Sequence, residues 1–412
     1  MGWQDMQNPE KIKFYSFFYI DYIKPNMKLK TFFCILTLLG MIVIAGCIEP
    51  YITDAEAVVI KISPEGEKIS ETVIPCSDIF HTSPYIYISG VEISGYGSFV
   101  IVQYHNKTLH FTTRTVILDN NGKLIKDTVI PEINKDILDL IVLENDSLVA
   151  LSKDGMFYFF SSNGDLISEM SVYELDEDIT NSGYLFASAA PAAGGEIVLA
   201  GEDKKPGYLQ ILNISPKEKK VSETRIRIGG MPWIHKIIQT TDRGFLIGGS
   251  YSDSGSFPHS RPWIAKTDDN GILLWENKLG SVNDSFIGFY ESKDGEYHII
   301  YASQVTGENG SDHDQYIEAV VDNYGKPVIT VNESISKYPK LVSKDGLVFT
   351  EIISGTDGGK KLHIIKTNVN GETEWDNLCE LADFSAATYS IGSNIVRTAY
   401  GGYLITGTRY YF

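Results

Sequence analysis

From residue 57 onward, apolar and polar residues alternate in short runs broken by Gly, Asn and Asp, the period-two pattern of strands with one buried face. Two kinds of hairpin recur within that pattern. The first has an apolar strand, a tight polar turn and a strand that ends in small residues, as in IIQTTDRGFLIGGS around Gly244 and VRTAYGGYLITGT around Gly402. Weaker copies turn at Gly97, Asp146, Gly195, Gly295 and Gly346, so the seven turns stand 49, 49, 49, 51, 51 and 56 residues apart. The second kind lies between them and turns at Gly66, Gly122, Gly164, Gly271, Gly325 and Gly371, usually with Asn or Asp just before the Gly. These residues suit tight hairpins, which need positive φ. A seventh copy, near Lys217, replaces the Gly turn with a longer polar one.

Seven hairpins of each kind, alternating along the chain, make seven four-stranded units. One such sheet cannot bury both its faces alone, so the units are expected to pack face to face around an axis. The expectation is an all-β chain: a seven-bladed β-propeller of four-stranded antiparallel blades. The repeat starts on a hairpin of the second kind, Ala57 to Pro75, and finishes on one of the first kind, Ser393 to Phe412. The N-terminal and C-terminal strands should therefore share the last blade, closing the ring and removing the open edges of an unclosed array.

The combination of GG-aromatic-apolar, K-T-D/N-x-N-G and a following Trp resembles the repeats of secreted archaeal and bacterial β-propeller lipoproteins, grouped with quinoprotein-like propellers. The resemblance covers residues 57–412 and is strongest from Trp233 to Trp275 and from Lys361 to Phe412. It implies a fold and a location more than an activity, because such repeats serve many functions.

Ahead of the repeats, the stretch from Met27 reads MKLKTFFCILTLLGMIVIAGC. A basic start at Lys28 and Lys30 leads into an apolar run from Phe32 to Ile44 and then Ile44-Ala45-Gly46-Cys47. These are the parts of a secretory leader, and the last four residues resemble a lipobox, which implies lipidation of Cys47. The apolar run is short for a membrane span of about 20 residues. The expected division is an upstream extension over 1–26, a lipoprotein signal peptide over 27–47, a tether over 48–56 and the propeller over 57–412. The expected location is the extracytoplasmic side of the cell membrane, held by a lipid anchor.

The formal charge of −18 becomes 30 basic against 50 acidic residues once 1–47 are removed. Nucleic acid is excluded as a partner, because phosphate binding needs a basic stripe. With Cys34 in the leader and Cys47 lipidated, Cys76 and Cys379 remain, ten residues after Gly66 and eight after Gly371. A disulfide between them would staple the closure; two buried free thiols are the alternative. Sequons at Asn106, Asn145, Asn213, Asn283, Asn309 and Asn332 point to glycosylation at an exported surface.

Candidate chemistry gathers in two segments expected to be loops at the channel mouth, Tyr251 to Trp263 and Val305 to Tyr316. Tyr251, Asp253, His259, Trp263, Asp312, His313, Asp314 and Tyr316 mix rings with carboxylates, a combination suited to a peptide or glycan. No catalytic residue is assigned, and no cofactor or metal is expected. The G-x-S-x-G-like GGSYS at Gly248 falls on a repeat strand, and neither His nor Asp spacing matches zinc or calcium sites. The expected function is a binding or interaction module for a protein, glycan or envelope component. The alternative is an extracytoplasmic enzyme or cofactor-binding propeller working at the channel mouth.

Overall fold

The structure, a computed structural model, describes residues 54–411 apart from 77–78, 80–85, 94–96, 107, 109, 144–145, 176–184, 204–206, 254–259, 307–311, 332–337, 355–359, 370, 382–386 and 399. Both hairpin families fold as their alternation and turns dictate, and the strands assemble into seven four-stranded antiparallel sheets. The chain is a seven-bladed β-propeller. Blades 1 to 6 occupy residues 86–129, 137–171, 185–227, 231–278, 285–331 and 341–380. In each of them strand order follows chain order, and first strands of several neighbouring blades lie against one another, so they line the axis while fourth strands form the rim.

Blade 7 is shared by the two ends of the propeller. Its sheet runs from Ala387–Arg397 to Tyr403–Tyr411, then to Asp54–Ile62 and finally to Lys68–Pro75 at the rim. The closing ladder pairs Asp54 with Tyr411 and continues in register to Ile62 with Tyr403. The first strand begins at Asp54, inside the segment expected to be tether, because its ladder to Tyr411 extends that far. An ion pair between buried Arg409 and Glu56, with the Tyr411 hydroxyl donating to Glu56 Oε2 at 2.9 Å, fixes the end of the ladder.

Each blade buries its faces against its neighbours, and one apolar core fills each junction. Within Asp54–Ile62, Val58, Ile60 and Ile62 enter the core shared with blade 6, while Ala57 and Val59 enter the core shared with blade 1. Fully burying one such aliphatic side chain contributes about 1.5–3 kcal/mol.

Polar ties repeat on top of this packing. Lys266 and Lys366 are 1% and 3% exposed, and each ammonium donates to the carbonyl of the following threonine at 2.7 Å. Lys266 also reaches Asp242 in the first turn of its own blade at 3.0 Å, so the K-T motif locks that turn onto the third strand. Further out, fourth-strand side chains hold the outer turn of the next blade. Trp375 and Asn377 donate to the carbonyls of Pro64 and Glu65 at 2.9 and 3.1 Å; Trp275 and Asn277 donate to those of Asn323 and Gly325 at 3.2 and 2.9 Å. Thr72 to Gly122, Lys126 to Asn163 and Thr224 to Asn270 make the same tie. Gly66 and Gly325 have φ of +86° and +80°, and a Cβ on either would stand 2.6 Å from the tryptophan of the latch. These turns need glycine for both reasons.

The expected disulfide is corrected. Cys76 and Cys379 are free and buried. Cys76 lies in the core between blades 7 and 1, Cys379 in the core between blades 6 and 7, so the closing sheet stands between them. Burial pushes the Cys76 thiol up to about 12 and the Cys379 thiol up as well. Native protein should leave both thiols silent toward a disulfide reagent at about pH 8. Unfolding in guanidinium without reductant should expose both to the reagent, and their continued silence would mean they are bridged.

Candidate functional site

The residues expected at the channel mouth are dispersed. Tyr251 and Trp263 lie on paired strands, Phe245–Ser252 and Arg261–Thr267, and both are buried. Trp263 is 0% exposed and donates its indole N–H to Glu276 at 3.2 Å, so it offers no ring face to a ligand. Asp253 accepts from the Tyr251 hydroxyl at 3.1 Å and lies 3.6 Å from Arg261 and 3.8 Å from Lys278. The Lys278 ammonium sits 3.9 Å over the Tyr251 ring, so the aspartate is part of a small charged knot.

The segment from Val305 to Tyr316 is no plain loop. Tyr297–Thr306 and Asp312–Val321 continue the ladder, pairing Thr306 with Asp312, Val305 with His313 and Gln304 with Asp314. β-Branched Val305 and Thr306 favour that extension. His313 and Asp314 are exposed on this hairpin, while Tyr316 is 7% exposed in the core between blades 5 and 6. Burial, with Asp314 nearby, pushes the Tyr316 phenol up.

Of the remaining expectations, His259, Cys47, Asn145, Asn309 and Asn332 lie outside the described residues. Asn283 is exposed with φ of 81°. Asn106 folds an Asx turn, its Oδ1 accepting from the Thr108 and His110 amides. Asn213 sits within Tyr208–Ser215, and its amide nitrogen, the atom a glycan would take, donates to Glu196 at 2.9 Å.

Two further sites carry no sequence motif. One is on the axis. Asp139 on Ile137–Val142 accepts from the amides of Leu140 at 2.9 Å and Ala189 of the next blade at 3.3 Å. Ser188 holds Ile237 in blade 4 in the same manner at 3.3 Å. Asp139 keeps some surface open to the axis yet is enclosed by protein, and this desolvation raises its carboxyl from 3.8 to about 6 against the opposing charge of Lys236. Lys236 is lowered by burial and lies 5.7 Å over the Phe289 ring. His235 beside it, also lowered by burial, meets Phe286 edge-on at 5.3 Å. Single polar letters in seven similar strands gave no sequence signal for this group.

The other site is on the rim. Among the described residues, no fourth-strand latch joins blade 2 to blade 3. Ser168 pairs with Phe159 where Trp275 pairs with Lys266, and Met170 pairs with Phe157 where Asn277 pairs with Ile264. One of these side chains is short and the other carries no donor. Opposite them stands the turn without glycine, Pro216 to Lys219. A cleft of about 610 Å³ opens here, within the range of small-ligand pockets. Leu143, Phe159, Met170 and Leu175 line its apolar part; Glu169, Glu174, Lys217 and Lys219 are its charged groups. The junction behind it is also imperfect. Gln210, 1% exposed on the strand face that Leu212 sends into this core, leaves both amide atoms without a partner among the described residues. Each such buried orphan costs about 1–3 kcal/mol. The departure of the Lys217 turn from the Gly pattern is the one signal that marked this place in the sequence.

No family profile matches the chain, and no curated protein matches it either. Solved structures with which it aligns include polysaccharide lyase Uly1, at 10% identity over 88% of this chain and 99% of that one, with a TM-score of 0.48. Hydrazine synthase from Kuenenia stuttgartiensis aligns at 11% identity over 67% and 75%, TM-score 0.43. BamB from Moraxella catarrhalis aligns at 13% identity over 86% and 91%, TM-score 0.35. Likenesses this distant carry nothing about activity.

The axial aspartate sets a pH dependence. Its folded value lies above the ordinary carboxylate value, so the folded protein holds this proton more tightly than the unfolded chain. The resulting stability is present below about pH 4 and is lost as pH rises through about 6. Asp139→Asn should therefore gain on wild type between about pH 4 and 8 by up to about 3 kcal/mol. Urea unfolding across that range measures the difference, and a constant difference would contradict the assignment.

Proposed function

We propose that this chain is a membrane-anchored, extracytoplasmic propeller lipoprotein that acts as a binding or interaction module for a protein, glycan or envelope component. The cleft between blades 2 and 3 carries the binding reading: among the described residues the fourth-strand latch is missing here, and a cavity of about 610 Å³ with charged groups at both ends takes its place. The leader from Met27 and its Ile44-Ala45-Gly46-Cys47 ending support the anchor.

The diacyl anchor of a lipoprotein supplies the two chains that stable attachment needs.

A second reading, an extracytoplasmic enzyme working at the axis, draws on one observation, the raised Asp139 near Lys236. It requires an activity lost in Asp139→Asn and kept in Lys217→Glu.

Metabolic labelling with a lipid precursor tests the anchor: wild type should take up the label and Cys47→Ala should not, and an unlabelled wild type would refute lipid anchoring. A photo-crosslinking amino acid at Lys217 in intact cells tests the module. It should give a discrete adduct absent when the same group stands at Lys293 on blade 5, and equal labelling from both positions would count against the cleft.

A further inference from the structure

We propose that the cleft between blades 2 and 3 binds a short extended peptide with free termini, laid antiparallel along the rim strand Leu166–Ser171; this rests on the binding reading above. Ser168, Glu169 and Met170 are consecutive on that strand, and all three line the cavity. Neighbouring strand residues point to opposite faces, so the cavity reaches the edge of the strand and not one face alone. Among the described strands this one is the last of its sheet, and its outer edge offers the backbone groups onto which an extended polypeptide adds as a further strand. Six residues of strand give about 20 Å of such edge.

The charges fix direction. Lys217 and Lys219 belong to the outer turn of blade 3, so they lie at the turn-face end of the cleft. Leu166–Ser171 leaves its own outer turn and runs toward the loop face, and Glu174 lies beyond its far end. Among the described residues, none of Glu169, Glu174, Lys217 and Lys219 makes an ion pair, and all four are exposed; Glu218, between the two lysines, pairs with Lys220 and also feels the charge of Lys217. A strand added antiparallel starts near Glu174 and finishes near the lysines. Its ammonium meets the glutamates and its carboxylate meets the lysines, each as a charge-assisted contact. Its apolar side chains face Leu143, Phe159, Met170 and Leu175. In a protein of net charge −18, three lysines against one glutamate in the turn Lys217 to Lys220, at one end of a cavity, are a local reversal of sign that recruits a carboxylate.

The test uses the purified full chain in detergent, a random pentapeptide library with free termini, and the same library acetylated and amidated. Ultrafiltration and mass spectrometry measure what each protein retains. Free-terminus peptides should be retained, with at least about tenfold less retention of capped ones. Lys217→Glu with Lys219→Glu should lose free-peptide retention to a similar degree. Lys293→Glu should change nothing, and melting curves should show that the variants fold like wild type. Equal retention of capped and free peptides, unchanged retention by the double variant, or no retention of either library would overturn the proposal. A cross-linked partner at Lys217 with no retained peptide would sink this inference alone and leave the binding module standing.

Discussion

The molecule depends on the antiparallel pairing of Asp54–Ile62 with Tyr403–Tyr411. Every other blade is continuous in the chain and buries its faces because a neighbour stands on each side. Without the closing pair, the outer half of blade 7 would leave the ring, and the core residues it shares with blades 6 and 1 would face water. Bringing such distant segments together costs only about 5 kcal/mol of loop entropy, since that cost grows with the logarithm of loop length. A nine-residue ladder feeding two apolar cores offsets it.

Closure also explains where irregularity is tolerated. A ring of equivalent junctions can tolerate imperfections at some of them while the rest hold the shape. Between blades 2 and 3 the latch positions carry Ser168 and Met170, the facing turn has no glycine, and Gln210 is buried without a partner among the described residues. Natural sequences depart from local consistency at functional sites more than elsewhere. This junction combines three departures with a cavity. The axis offers a different kind of departure, a desolvated Asp139 whose hydrogen bonds stitch blade 2 to blade 3 while its charge works against burial.

The repeat was legible because its turns are backbone necessities. Gly122, Gly271 and Gly325 all adopt φ near +75 to +80°, and few other residues tolerate that geometry. Blade count and ring closure followed from those turns and from the order of hairpin types. The site was far less legible. Tyr251 and Trp263 look like ligand-binding aromatics in sequence, but alternation along their strands places them in the interior. Asp312 to Tyr316 reads as a polar loop, yet the ladder with Tyr297–Thr306 holds it as strand. Asp139 and the cleft owe their character to residues from different blades, and no linear motif records such neighbours. Cys76 and Cys379 share a repeat phase, and shared phase places them in successive junctions with a sheet between.

Hydrogen exchange by the amides of the two terminal segments gives the most direct test of the closed ring. If the ring is held shut as described, amides in Asp54–Ile62 and Tyr403–Tyr411 exchange as slowly as those in central strands such as Phe245–Ser252, opening only with global unfolding. Rapid exchange in Asp54–Ile62 while the central strands stay protected would show an open ring and contradict the account.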